Sequence, residues 1–152
     1  MNIGLISDTH GLLRREALTA LRGSELIVHA GDIGAPDVLD ALRELAPLVA
    51  IRGNNDTGAW ARKLPDTLTF DADGRRVHLL HDLKTLAVEP RGDGIAVVVS
   101  GHSHKPKIER RDGVLYVNPG SAGPRRFSLP VTVATLRVDG PRFDAEIIAL
   151  LP

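Results

Sequence analysis

The chain has 152 residues and no cysteine, with 19 basic against 19 acidic side chains, 43% hydrophobic residues and only 3% aromatic ones. A chain of this length buries roughly 68–70% of its unfolded surface, enough for one core, and reads as a single domain spanning residues 1–152. The missing cysteines exclude a disulfide framework and a thiolate metal site, while zero net charge and few aromatics argue against a nonspecific nucleic-acid surface.

The longest apolar runs, 95–99 and 147–151, are five residues each, far short of the roughly 20 that cross a bilayer, so no membrane span is expected. The first residues lack the basic and long apolar regions of a signal peptide, and a cytoplasmic location is the default. Residues 2–7 read as a buried strand, followed by a helix with Leu13, Ala17, Ala20 and Leu21 on one face and Gly23 at its end. Residues 26–30 form a second apolar run. Val38, Ala41, Leu42 and Leu45 repeat the helical spacing, with Pro36 suited to the first turn and Pro47 as a stop, before a third strand at 48–51. This β-α-β-α-β order predicts a parallel sheet with right-handed crossovers. Beyond residue 64, Asp73-Gly74, Asp112-Gly113 and Asp139-Gly140 each separate two β-rich runs. They predict hairpins pairing 67–70 with 76–80, 107–110 with 114–117, and 131–138 with 142–150, so antiparallel sheet is expected to dominate there.

Candidate metal ligands follow the apolar runs. Asp8 and His10 come after the first, Asp32 after the second, Asn54 after the third, His81 after 77–80, and His102 and His104 after 95–99. In an open sheet the carboxyl ends of parallel strands converge on one edge, so these seven oxygen and nitrogen donors are expected to share a cleft. Taken singly, Asp-x-His, Gly-Asp and Gly-Asn-Asn-Asp read equally well as turn chemistry. His29 and His78, inside apolar runs, read as structural: His29 as a core or supporting residue, His78 as a cross-strand pair.

In order, Asp8-Thr9-His10, Gly31-Asp32, Gly53-Asn54-Asn55-Asp56, His81 and Gly101-His102-Ser103-His104 resemble the calcineurin-like metallophosphoesterase superfamily. Ser7, the run His29-Ala30-Gly31-Asp32, Arg52 and Asn118-Pro119-Gly120-Ser121 point to its small single-domain bacterial and archaeal phosphodiesterase branch, the last also reading as a turn that supports the site. The resemblance implies a four-layer α/β/β/α sandwich, an α/β fold. It implies that Asp8, His10, Asp32 and His104 hold one divalent ion and Asp32, Asn54, His81 and His102 a second, with Asp32 bridging. Carboxylate and imidazole donors suit Mn, Fe, Co, Ni or Zn, and manganese is favoured by resemblance. The implied reaction is hydrolysis of a small phosphodiester by in-line attack of a hydroxide bridging the two ions. Arg52, or the pair Arg125 and Arg126, would stabilise charge on phosphorus, and a solvated loop face is an equal reading for the pair. Asp56 and Asp82 would orient His81 or His102, or cap turns.

Two departures stand out. Asn55 replaces the histidine that larger phosphatases carry, and an amide cannot act as a general acid. Asp82 follows His81 where many relatives have glycine. The rival functional class is a protein-interaction scaffold of the retromer-subunit type, and further alternatives are a phosphomonoesterase or a nuclease. No basic groove or lid-length insertion signals a dedicated nuclease, and a homodimer is expected from relatives.

Overall fold

The computed structural model describes all residues 1–152 and contains two five-stranded sheets packed face to face. Strand β1 (Asn2–Ile6), helix α1 (Arg15–Leu21), β2 (Leu26–His29), α2 (Pro36–Arg43) and β3 (Leu48–Ala50) form the β-α-β-α-β unit expected of the first third. β1 pairs with β2 and β2 with β3, both in parallel. A 3₁₀ turn (Ala59–Lys63) then leads into the second sheet, built from β4 (Thr67–Ala72), β5 (Arg75–Leu80), β6 (Ile95–Val99), β7 (Lys107–Arg111) and β8 (Val114–Asn118) in the order β4-β5-β6-β8-β7. Strands β9 (Thr132–Asp139) and β10 (Arg142–Ala149) complete the chain.

All three hairpins form around their Asp-Gly pairs: β4 with β5, β7 with β8, and β9 with β10. Antiparallel pairing dominates beyond residue 64, as expected, but two features of the arrangement go beyond the hairpins. β5, β6 and β8 run parallel at the centre of the second sheet, and β9 returns to the first sheet to lie antiparallel beside β1. An Asp-Gly turn fixes only the partner across the turn. Which sheet a hairpin joins is decided by which edge still needs covering, a long-range matter that local signals do not carry.

The core lies between the sheets, where alternate side chains of both inner faces meet: Ile3, Leu5 and Val28 against Val77, Leu79, Val97, Val99, Leu115 and Val117. The outer faces differ. Over the first sheet, α1 and α2 bury Ala17, Leu21, Val38, Leu39 and Leu42 in a cluster of 11 buried residues. Over the second, a 3₁₀ turn (Leu83–Thr85) and the loop behind it lay Leu83, Leu86 and Val88 on a cluster of only four, Leu80, Ile95, Val98 and Val114. The four-layer α/β/β/α sandwich is therefore present with a thin outermost layer, and its parallel strands deliver their carboxyl ends to one rim.

Candidate metal centre

Six of the seven expected ligands meet on that rim as two clusters, Asp8 with His10 and His104, and Asp32 with His81 and His102. Within each cluster one ligand atom per residue lies within 4.8 Å of the others. The clusters touch. Asp32 Oδ2 is 3.3 Å from His81 Nε2 and 3.8 Å from His10 Nε2, while Asp8 Oδ1 is 3.4 Å from His104 Nε2 and 3.8 Å from both His10 Nε2 and His81 Nε2. Asn54 sits at the same rim, exposed in the turn after β3.

The backbone is strained at these positions. Asp8, His10, Asp32, His102 and His104 all have left-handed φ values between 47° and 69°, a region that costs a non-glycine residue on the order of 1–2 kcal/mol. Hairpin aspartates and Phe127 account for the other non-glycine residues of this kind. Concentrated strain of this sort marks positions where side-chain direction outweighs backbone comfort. The motif glycines permit the convergence: a Cβ on Gly53 would overlap Asp32, and one on Gly101 would overlap Ser7 and lie 2.6 Å from Asp8 Oδ2.

Neighbours hold each cluster in place. Asp8 Oδ2 accepts from Ser7 Oγ at 2.6 Å and from the His102 amide at 3.0 Å, leaving Oδ1 free to face the imidazoles. Asp32 accepts from the backbone and side-chain amides of Asn55 at 2.9 and 3.0 Å. His81 Nδ1 lies 2.7 Å from the Ala30 carbonyl, which can only accept; Nδ1 therefore carries a hydrogen, and Nε2 faces Asp32. Asn118 donates to the Gly101 carbonyl and Ser103 Oγ, bracing the His102–His104 loop, and Ser121 Oγ donates to the Asp8 carbonyl. The Asn118–Ser121 turn thus supports the site, as the sequence reading had it, whereas the contacts of Ser7 and of Asn55 toward Asp32 were not assigned from sequence.

His29 is fully buried beneath the centre. Its Nδ1 accepts from the Gly31 amide at 3.1 Å, so Nε2 is the protonated nitrogen and donates to Thr9 Oγ1 at 3.0 Å, which donates on to the Ile33 carbonyl. Burial, with lesser contributions from His81 and His10, pushes its pKa down to about 3. His78 pairs across the hairpin with Thr69 at 2.7 Å. Both are structural, in line with the sequence reading.

The acidic and basic residues weighed around the ligands take up distinct places. Asp56 is buried, and its two oxygens accept from the amides of Ile33, Gly34 and Gly53 at 2.9–3.0 Å. It ties the loop carrying Asp32 to the turn carrying Asn54, which is the turn-capping alternative of the sequence reading and not the histidine-orienting one. The Arg52 guanidinium rests on Asp66 at 2.8–2.9 Å instead of standing free. Asp82 Oδ2 is 3.8 Å from His102 Nε2, and its other oxygen caps Lys84. Arg125 reaches the Pro152 carbonyl, whereas the charge of Arg126 is felt at His104.

The donor set fits a divalent cation. Asp8 Oδ1, His81 Nε2 and His104 Nδ1 are buried polar atoms without a hydrogen-bond partner, and such orphans are rare in folded proteins. Burial would raise the Asp32 carboxyl, but the His81 imidazole 3.3 Å away and the two Asn55 donors outweigh that and hold it well below the usual carboxylate range. Burial would lower His81, yet the adjacent Asp32 carboxylate, the Ala30 carbonyl and the charge of Asp8 raise it. Carboxylates that draw a proton onto a nearby imidazole equally draw a metal ion, which displaces that proton on binding.

Beside His102 a groove of about 660 Å³ opens between the Leu83–Thr85 turn and strands β7 and β8, lined in part by Lys84, Lys105, Lys107 and Arg111. The expectation that no basic groove exists is corrected: its cations come from separate segments and form no run in the sequence.

The calcineurin-like phosphoesterase superfamily domain matches residues 1–140. A probable metallophosphoesterase of Methanothermobacter thermautotrophicus is 38% identical, the match covering 97% of this chain and 92% of that protein. The structure of an archaeal phosphodiesterase superposes with a TM-score of 0.81 at 25% identity, covering 97% and 100% of the two chains. Vps29 of Entamoeba histolytica, solved with zinc, superposes at 0.75 with 21% identity over 99% and 100%, a likeness of fold alone.

Proposed function

The chain belongs to the calcineurin-like phosphoesterase superfamily, and from that premise and its site we propose that it is a metal-dependent phosphodiesterase acting on a small phosphodiester. The observation that carries this reading is the pair of touching carboxylate–imidazole clusters, with buried oxygen and nitrogen atoms left for a cation. Asp8, His10 and His104 would hold one divalent ion and Asp32, Asn54, His81 and His102 the other, with Asp32 between them and manganese as the favoured metal. When bound, two such ions supply a hydroxide nucleophile at neutral pH and the positive charge that clamps phosphate oxygens.

The protein residues fix direction and charge. Ser7 and the His102 amide aim the free oxygen of Asp8, Asn55 secures Asp32, and Asp56 locks the two ligand loops together. Arg126 adds positive potential near His104, where an anionic substrate would approach. Asn55 donates only neutral hydrogen bonds, and here it donates to Asp32. Leaving-group protonation by a side chain at this position is therefore absent, and aryl diesters should be cleaved much faster than alkyl ones. The scaffold alternative shares the fold, but it leaves the joint presence of every ligand and its bracing unexplained.

The test is turnover of matched aryl diesters and monoesters by metal-stripped protein reloaded with one metal at a time. Diesterase activity restored best by Mn²⁺ is expected. A preference for monoesters under every metal would replace the substrate class.

A further inference from the structure

We propose that the groove beside His102 binds one ester arm of the substrate, and that this arm is a nucleotide bearing a phosphate besides the one that is cleaved. The proposal rests on the phosphodiesterase reading for where the cleaved phosphate sits, and it specifies the substrate class of that same site.

Three observations converge. First, the groove is continuous with the metal centre: His102 belongs to the Asp32 cluster and also lines the groove, so a diester held at the clusters has one arm directed into it. Second, its charges do not cancel. Glu109 lies 3.3 Å from Lys107 and 3.6 Å from Arg111, and Asp82 faces His102, leaving the ammonium groups of Lys84 and Lys105 without a carboxylate partner. Two uncompensated cations at the wall of a concave site favour an anion. Third, the Arg111 guanidinium stacks 4.2 Å above the centre of the Tyr116 ring, a flat polarised platform of the kind on which nucleobases stack. At about 660 Å³ the groove has the dimensions of a small-molecule site. A long polynucleotide fits less well, since the chain carries no net positive charge to track a phosphate backbone.

The ligand preference is measured by calorimetry with thymidine 3′,5′-bisphosphate, thymidine 5′-monophosphate and inorganic phosphate. Wild-type protein should bind the bisphosphate about tenfold more tightly than the monophosphate, the gain of a charge-assisted contact worth about 1.4 kcal/mol. The double substitution Lys84→Ala with Lys105→Ala should erase that difference while leaving turnover of bis(p-nitrophenyl) phosphate unchanged, which also certifies folding. Arg111→Ala should weaken both nucleotides relative to inorganic phosphate. Equal affinities in the wild type, or a preference that survives the double substitution, would overturn the proposal. Absent diester turnover with the bisphosphate preference intact would sink the phosphodiesterase reading and leave the groove standing; intact turnover without the preference would do the reverse.

Discussion

The two ligand clusters are built to different standards. In the Asp8 cluster the aspartate is fully buried, His104 is 4% and His10 24% exposed, and in each cluster two donors hold the carboxylate. In the Asp32 cluster His102 is 44% exposed and Asn54 lies in an open turn, although Asp32 and His81 are nearly as buried as their counterparts. A rigid, dry site binds an ion tightly because its ligands lose little freedom and no water competes; a site with mobile, wet ligands binds more weakly and exchanges. On the proposed two-ion reading, this contrast predicts one tightly held ion and one that is readily lost, on the side where the groove opens.

The harshest way to break this contrast is to remove Asp32, the carboxylate proposed to stand between the two ions. Asp32→Ala should cost more activity than any other single change, on the order of 10⁴-fold in kcat/KM, and metal content per chain should fall with it. Near-wild-type turnover with two retained ions would contradict Asp32 as the bridge and turn attention to Asp8 Oδ1, 3.4 Å from His104 Nε2 and 3.8 Å from His81 Nε2 of the other cluster. Asymmetric substitution comes next. His104→Ala should empty the tight site, whereas His102→Ala should leave one ion bound per chain and weaken only the second; equal losses measured by elemental analysis would erase the distinction. Ser7→Ala sharpens the comparison further, because it frees Asp8 without touching a ligand. About a tenfold loss of affinity at the tight site is expected, with the weak site unaffected, as read by competition with a metal-sensitive dye.

Much of this site is legible in the sequence. Strand ends, Asp-Gly turns and the order of the donors are local features, and they placed β1 to β3, all three hairpins and the seven candidate ligands. The return of β9 to β1 was not legible, because the pattern of β9 suits either sheet. Nor was the groove, since Lys84, Lys105 and Arg111 become neighbours only when the loop over the second sheet meets β7. Asp56 shows a subtler limit. Its place after Gly53-Asn54-Asn55 allowed a turn cap or a histidine partner, and only the positions of Ile33 and Gly34, brought in on the loop after β2, decide for the amide clamp.

Smaller effects probe the floor beneath both clusters. His29 is neutral when folded, with a pKa near 3, but takes up a proton near pH 6.5 once unfolded. The unfolded chain therefore binds more protons between those values. The stability His29 contributes is complete above pH 6.5 and declines as pH falls toward 3, by up to about 1.4 kcal/mol per unit. Of the groups acting on it, Asp32 opposes this shift, while His81 and His10 support it. Urea melts of metal-stripped protein from pH 7 to 4 should show that slope, and His29→Gln should flatten it; an unchanged slope would mean that other groups carry the acid sensitivity. The mildest change is Arg52→Ala. With its guanidinium held on Asp66, within about threefold of wild-type kcat/KM is expected, and a loss approaching 10²-fold would show that the arginine leaves Asp66 to reach the substrate.

The most direct measurement of the unequal two-ion centre is calorimetric titration of stripped protein with Mn²⁺, followed in parallel by diester hydrolysis. Two binding events per chain are expected, separated by at least about tenfold in affinity, with activity rising on the second. A single event at one ion per chain that restores full activity, or undiminished turnover in thoroughly metal-free protein, would contradict it.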